Sequence, residues 1–242
     1  MAADKFLKKE TIHIWKISIP DPQSQSRLLS LLQQQEKEIF FNRVNKEDAR
    51  RDAIFRGATR DILGAYCNIK PQNIDFAYGE HGKPSILKPK GISPFLKFNL
   101  SHSYTQALLA VAWDMETGVD LERIEPAKRI GTIGEYFFNS EERDHINANR
   151  DQSASLDRFY TIWTCKEAAA KAIGQSLPAG MIELKTPAIR SLEKGCLIHP
   201  FQHGFFYILT FQAFLGYKSA VCILDSKPDT AIYSYPQDLR LY

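Results

Sequence analysis

The chain has 242 residues, 44% of them hydrophobic, which is ample for a core in one large domain or in two halves. A formal charge of +3 is too mild over this length to indicate a nucleic-acid partner, and is compatible with an anionic small molecule or an acidic protein. No run approaches the length of a membrane span, Met1 to Lys5 lacks the apolar centre of a signal peptide, and the four cysteines form no CxxC pair, so a cytoplasmic protein with reduced, buried thiols is expected.

In chain order, Thr11 to Ile19 carries Ile12, Ile14, Ile17 and Ile19 among polar residues and suits a strand that Pro20-Asp21-Pro22 stops. A helix from about Ser24 to Phe40 is expected next. A second, from Lys46 to Tyr66, follows from Ala49, Ala53, Ile54, Ala58, Ile62 and Ala65 at helical spacing. Its arginines, Arg50, Arg51, Arg56 and Arg60, are dense enough to define a solvated face, or to supply one partner for a phosphate. Ile74 to Tyr78 reads as a short strand, and Gly79 to Pro84 as a loop in which the proline fixes the chain just after Lys83. Lys97 to Leu100 reads as a strand ending at Ser101-His102-Ser103, and Ala107 to Trp113 as a buried strand. In the strand expected around Thr117 to Arg123, Asp120 and Glu122 share one side while Val119 and Leu121 face the core. Two carboxylates side by side suit a divalent cation; a solvated edge of an amphipathic strand is the plainer alternative.

One or two short helices are expected in Gly131 to Asn149. The helix that follows, around Phe159 to Lys171, is capped by Ser155 in this reading and ended by Gly174. At about 100° per residue, Leu156, Phe159, Tyr160, Trp163 and Ala170 fall on one stripe with Glu167 near its centre. A carboxylate facing an apolar core costs several kcal/mol unless a cation or strong donors hold it. Lys171, one turn on, is a candidate; an ordinary i,i+4 pair is the alternative. Strands are expected around Met181 to Leu184, Phe205 to Phe214 and Ser219 to Leu224, and no usable periodicity follows Ser226.

The helix around Asp48 to Gly64 recurs as Asp157 to Gly174, and the strand ending Trp113-Asp114 recurs as Leu224-Asp225. This predicts an α+β fold of two similar halves related by pseudo-twofold symmetry, residues 1–115 and 116–242, with the active site in the cleft between them. Asp120, Glu122 and Glu167 would then converge. Two carboxylates about 5 Å apart repel by about 3 kcal/mol at an effective dielectric near 20, so a divalent ion is called for, and oxygen-only ligands favour Mg2+.

Four stretches, Gly82-Lys83-Pro84, Phe98 to Ser103, Gly118 to Glu122 and Trp163 to Lys171, occur in the order found in the 4′-phosphopantetheinyl transferases, and the chain resembles the large, pseudo-dimeric class of that family from about Lys46 to Ile223. The resemblance implies transfer of the phosphopantetheine arm of coenzyme A to a serine of an apo acyl or peptidyl carrier protein, with release of 3′,5′-adenosine bisphosphate. It also implies Asp120, Glu122 and Glu167 as metal ligands, Glu167, Lys171 and His102 as catalytic residues, and Arg51, Lys83, Pro84, Ser101, His102 and Lys171 as coenzyme A contacts. On that basis residues 1–115 form the adenosine-binding half and 116–242 the metal-binding, catalytic half. A monomer is expected, since the internal repeat supplies a pairing otherwise obtained by oligomerising. Phe137 and Phe138 are candidate anchors for the carrier protein, or core. Two other readings remain open, a coenzyme A-binding protein without transfer activity and a Mg2+-dependent phosphohydrolase.

Overall fold

The computed structural model describes residues 7–87, 96–126, 130–148, 151–175, 195–201 and 204–241. The strand expected around Met181 to Leu184 lies outside them. β1 (Thr11–Ser18) leads into α1 (Pro22–Ser30) and α2 (Gln34–Phe41), two helices where the sequence suggested one. Each has its own cap. The Asp21 carboxylate takes the amides of Gln23 and Ser24, and Gln33 and Glu36 form a reciprocal capping box for α2.

α3 (Lys46–Cys67) starts at Asn45, whose side chain accepts from the Glu47 and Asp48 amides, and ends at Asn68 in the left-handed region. Its arginines do not all lie on a solvated face. Arg60 is fully buried, with its Nε held by Glu36 Oε2 and its Nη1 by the carbonyls of Pro71 and Ile74 at 2.7 to 2.8 Å, while Nη2 has no hydrogen-bond partner among the described residues. A small hairpin, β2 (Phe76–Tyr78) and β3 (Pro84–Ile86), carries the Gly79 to Lys83 loop, closed by the Gly79 amide on the Lys83 carbonyl.

β4 (Leu96–Ser103) and β5 (Gln106–Trp113) form an antiparallel hairpin, β6 (Thr117–Arg123) follows, and α4 (Ile130–Phe137), α5 (Ser140–Asn147) and α6 (Gln152–Ala172) come next. The chain finishes with β7 (Cys196–Phe201), β8 (Gly204–Phe211), β9 (Tyr217–Leu224) and β10 (Asp229–Tyr235). The strands form a first sheet ordered β10-β1-β5-β4 and a second ordered β6-β9-β8-β7, apart from the β2–β3 hairpin.

Alternation along the strands builds four layers. Trp15, Ile17, Leu109 and Val111 face α3, while Ile12, Ile14, Leu108 and Ala110 face the second sheet, where they meet Val119, Leu121, Val221 and Ile223. Phe206, Ile208, Ala220 and Cys222 face α6 on the far side. β5 and β9 each end at an aspartate in the left-handed region, Asp114 and Asp225, so the repeat extends to the turn that leaves each half. The division after residue 115 does not hold for the C-terminal segment: β10 pairs in parallel with β1 and completes the first sheet. Its run Asp229-Thr-Ala-Ile-Tyr-Ser-Tyr lacks a clean alternation because an edge strand buries only part of each face. Of the cysteines, Cys165 and Cys222 are buried, whereas Cys67 and Cys196 are partly exposed; all four are free thiols. Among the described residues no helix is long and apolar enough to cross a membrane.

Candidate active site at the junction of the halves

α6 begins at Asp151, which accepts from the Ser153 amide, a turn earlier than a Ser155 cap would place it. It ends at Gly174, whose φ of +70° suits the C′ position. The helix is enclosed on most of its circumference, and its buried residues include Phe159, Ile162, Cys165, Ala168, Ala169 and Ala172. Glu167 is therefore not at the centre of an apolar stripe; it is partly exposed. The charge that does stand in the core is the neighbouring Lys166, whose ammonium meets Glu142 Oε2 at 2.6 Å and the Phe137 carbonyl at 2.8 Å. Glu142 also caps α5 through the Asn139 amide. This pair pins the α4–α5 corner to α6. Phe138 is buried there against Phe159 and Trp163, so it is core rather than an anchor, and the exposed aromatic of the segment is Tyr136.

Gly118 sets how closely α6 approaches β6. A Cβ at this position would lie 2.1 Å from the Ala168 carbonyl oxygen and 2.4 Å from the Ala172 amide, so only glycine lets the helix backbone settle on the strand. That contact brings Lys171 onto Asp120. The Lys171 ammonium donates to Asp120 Oδ1 at 2.5 Å and to Ser101 Oγ at 3.1 Å, and Ser101 donates to the same Oδ1 at 2.9 Å. Three elements from both halves thus meet at one carboxylate that is 2% exposed. A solvated edge is excluded, and Lys171 is engaged with Asp120 rather than held as a simple helical partner of Glu167.

The remaining carboxylates crowd this pair. Burial first, then the charge of Asp120, pushes Glu122 up to about 7, against the pull of Lys171 and hydrogen bonds from Trp163 and Ser103. Glu167 is raised too, by burial first and by Asp120, with Lys171 opposing. Burial alone would lower Lys171, but Asp120, Glu167 and Glu122 outweigh it and the ammonium is held more firmly. On β4, His102 stacks on Phe55, with ring centroids 5.4 Å apart, and its Nε2 lies 3.5 Å from Asp52 Oδ1. His102 is lowered by burial first, then by the positive charges of Lys171, Arg51 and Arg43, while Asp52 opposes. Cations from α3, the loop before it and α6 therefore share one field around His102.

Arg51, partly exposed on α3, pairs with Glu47 and Asp48. Lys83 is placed differently from the others. Its ammonium donates to Glu116 Oε2, the Thr117 carbonyl and the Ala172 carbonyl at 3.0 to 3.2 Å, beneath the C-terminus of α6. This strut joins the hairpin loop to the second half, and Pro84 fixes the loop by opening β3 opposite Tyr78. Ser101 is also fully engaged, accepting from the Leu121 amide as well as from Lys171. Periodicity does not reveal the Lys166–Glu142 pair. The polar alternation Asn99, Ser101, Ser103 was a visible sign that this side of β4 meets polar groups.

Among the described residues no group of three or more His, Cys, Asp and Glu side chains comes together as a metal-holding cluster. The donor set still fits a hard divalent cation in its chemistry. It is all oxygen, its negative charge exceeds what Lys171 alone balances, and Asp120 Oδ2 is buried with no hydrogen-bond partner among the described residues.

A cavity of about 730 Å3 on another face of α6, lined by Arg158, Thr161, Thr210, Lys218 and Ser219 among others, includes none of these site residues.

Two family models match the chain, "4′-phosphopantetheinyl transferase, N-terminal" over residues 15–114 and "4′-phosphopantetheinyl transferase superfamily" over residues 116–222. The 4′-phosphopantetheinyl transferase HetI of Nostoc sp. (strain PCC 7120 / SAG 25.82 / UTEX 2576) is 34% identical over 172 residues, covering 71% of this chain and 72% of the relative. The chain belongs to the 4′-phosphopantetheinyl transferase superfamily. The transferase also matches 4′-phosphopantetheinyl transferase Sfp of Bacillus subtilis (strain 168), 28% identical over 233 residues, 94% of this chain and 96% of that one. A third relative, the L-aminoadipate-semialdehyde dehydrogenase-phosphopantetheinyl transferase of Homo sapiens, is 31% identical over 153 residues, 60% of this chain and 49% of its own length. The transferase is thus an enzyme that moves a phosphopantetheine group to carrier proteins, and the two matched segments correspond to the two sheet-based halves.

Proposed function

We propose that the donor is coenzyme A, that the other product is 3′,5′-adenosine bisphosphate, and that the junction around Asp120 is the catalytic centre, assisted by Mg2+ held by Asp120, Glu122 and Glu167. The observation that carries this reading is the meeting of Lys171, Asp120 and Ser101 across the two halves, with two further carboxylates beside it raised by burial first and then by Asp120.

In the reaction the serine oxygen of the carrier bonds to the phosphorus that bears pantetheine, and the bond from that phosphorus to the bridging oxygen breaks. The electron pair leaves with adenosine bisphosphate. Mg2+, when bound, neutralises charge on the pyrophosphate oxygens. Glu167, raised by burial, is suited to take the serine proton. Lys171 is held as an ammonium by Asp120, so it acts as a fixed cation and donor towards the leaving phosphate rather than as a base. His102 supplies a hydrogen bond to the pyrophosphate, and its ring orientation is set by Phe55 and Asp52. Arg51 and the neighbouring Arg43 offer charge-assisted contacts to the 3′-phosphate. Lys83 and Pro84 shape the adenosine wall through the course of their loop, since the Lys83 ammonium already has three partners.

Chromatography of a reaction containing coenzyme A and Mg2+, with and without an apo-carrier protein, tests the reading. Adenosine bisphosphate that appears only with the carrier is expected. Its release together with free phosphopantetheine in the absence of carrier indicates a hydrolase instead, and binding of coenzyme A without any release indicates a binding protein.

A further inference from the structure

β4 and β6 are edge strands of different sheets, and each presents a row of amides and carbonyls that need partners. On β6 alternate amides are taken by side chains of β4. Asn99 Oδ1 accepts from Val119 N–H at 2.8 Å, Ser101 Oγ from Leu121 N–H at 3.3 Å, and Ser103 Oγ from Arg123 N–H at 3.1 Å. The two serines also donate. Ser101 binds Asp120 Oδ1 at 2.9 Å and Ser103 binds Glu122 Oε2 at 3.3 Å. The offset is the same at both, 20 residues to the amide and 19 to the carboxylate. Asn99 stands opposite Gly118, which has no side chain to accept a hydrogen bond, and there the ladder has only the bond from the Val119 amide to Asn99 Oδ1.

A hydroxyl suits this task because one small group both accepts from the backbone and donates to the side chain. Alanine does neither, and threonine does both. Ser101 is additionally tied to Lys171, whereas Ser103 is partly exposed and its bonds to β6 are only these two among the described residues.

We propose that Ser103, alongside Trp163, is a positioning residue of Glu122, and that the Asn99–Ser101–Ser103 ladder fixes both the separation of the two halves and the aim of the β6 carboxylates into the cleft. The proposal rests on the reading of Glu122 as a Mg2+ ligand. It adds a residue of the other half that holds the ligand without touching the ion.

Three variants, Ser103→Ala, Ser103→Thr and Glu122→Gln, compared with wild type by amide hydrogen exchange and by calorimetric titration of the metal-free protein with Mg2+, test it. For Ser103→Ala the Arg123 amide exchanges faster and Mg2+ binds about ten-fold more weakly, as loss of a hydrogen bond to a ligand commonly produces. The KM for coenzyme A stays within about two-fold, because no binding contact is removed. Ser103→Thr restores both the exchange rate and the Mg2+ affinity. Wild-type Mg2+ affinity in Ser103→Ala, or a Ser103→Thr variant no better than the alanine, overturns the positioning role while leaving the metal reading in place. An unchanged Mg2+ titration in Glu122→Gln removes Glu122 as a ligand and takes both readings down together.

Discussion

At the contact between Asp120 and Lys171, two charges meet at 2.5 Å on a carboxylate that is almost wholly buried. Removing one member of such a pair leaves the other desolvated and unpaired, which typically costs about 3 to 5 kcal/mol. Lys171→Ala should therefore lower the melting temperature in metal-free buffer, and added Mg2+ should recover part of the loss by supplying positive charge to the same carboxylates. Arg51 bears on binding rather than on architecture, since its partners Glu47 and Asp48 lie on the surface of its own helix. Arg51→Ala should raise the KM for coenzyme A well beyond any change in kcat, and should narrow the preference for coenzyme A over its 3′-dephospho form; an unchanged KM rejects the assignment. Glu122 gives a pH signature. Its carboxyl titrates near 7 in the metal-free fold against an ordinary 4.5, so between those values the folded state binds the extra proton. Its contribution to stability is accordingly highest at low pH and declines as pH rises through about 7, by up to roughly 3 kcal/mol in all. His13, pushed down to about 4 by burial, works in the opposite sense between about 4 and 6.5, stabilising the fold as pH rises. The difference in unfolding free energy between wild type and Glu122→Gln isolates the Glu122 part, and a difference that is flat across pH 5 to 8 contradicts it.

Helix α6 transmits this geometry, and Gly118 is where it is set. A methyl group there must push backbone, since the nearest atoms are the Ala168 carbonyl and the Ala172 amide. A shift of about 1 Å in the helix carrying Glu167 and Lys171 is enough to cost on the order of a hundred-fold in rate. Gly118→Ala should thus lose both stability and kcat, whereas Gly82→Ala, where a Cβ meets nothing within 4 Å but φ is +79°, should lose stability with little change in kcat. Equal effects on kcat from the two would show that the approach of α6 to β6 is not what sets the rate. The existence of α6 and its end at Gly174 were legible in the sequence, because they depend on local propensity and a local cap. Its inward face was not. Three consecutive alanines, Ala168 to Ala170, leave the periodicity weak, and the buried cation Lys166 is satisfied by Glu142 on a different helix, a pairing no window of α6 contains. Asp120 and Glu122 were legible as a pair because a strand fixes their side by its two-residue period. Their hold on Ser101 and Ser103 was not, since it crosses between two sheets.

Across the whole molecule, the repeat of helix and strand was visible in the order of elements, and the structure extends it to matching left-handed aspartates at the exit of β5 and β9. The last strand escaped because its partner, β1, lies at the other end of the chain and only their pairing makes Asp229–Tyr235 a strand. Ending the chain after Leu224 should therefore destabilise the half that begins it, seen as faster amide exchange along β1 with little change along β8. With the two halves paired within one chain, sedimentation should find a monomer, and an obligate trimer would contradict this. Neither experiment asks whether the junction between the halves is a catalytic centre or a cluster of structural ion pairs, and Glu167→Gln does. Glutamine keeps the volume and removes one of three crowded negative charges, relieving repulsion of about 1 to 3 kcal/mol. The decisive measurement is the intact mass of an apo-carrier protein incubated with coenzyme A and Mg2+ and either wild type or Glu167→Gln, alongside the melting of both enzymes in metal-free buffer. A catalytic junction predicts that wild type adds one phosphopantetheine to the carrier, that the variant is slower by two or more decades, and that it melts at or above the wild-type temperature. A variant that melts well below wild type, or that still modifies the carrier at the wild-type rate, would contradict the account.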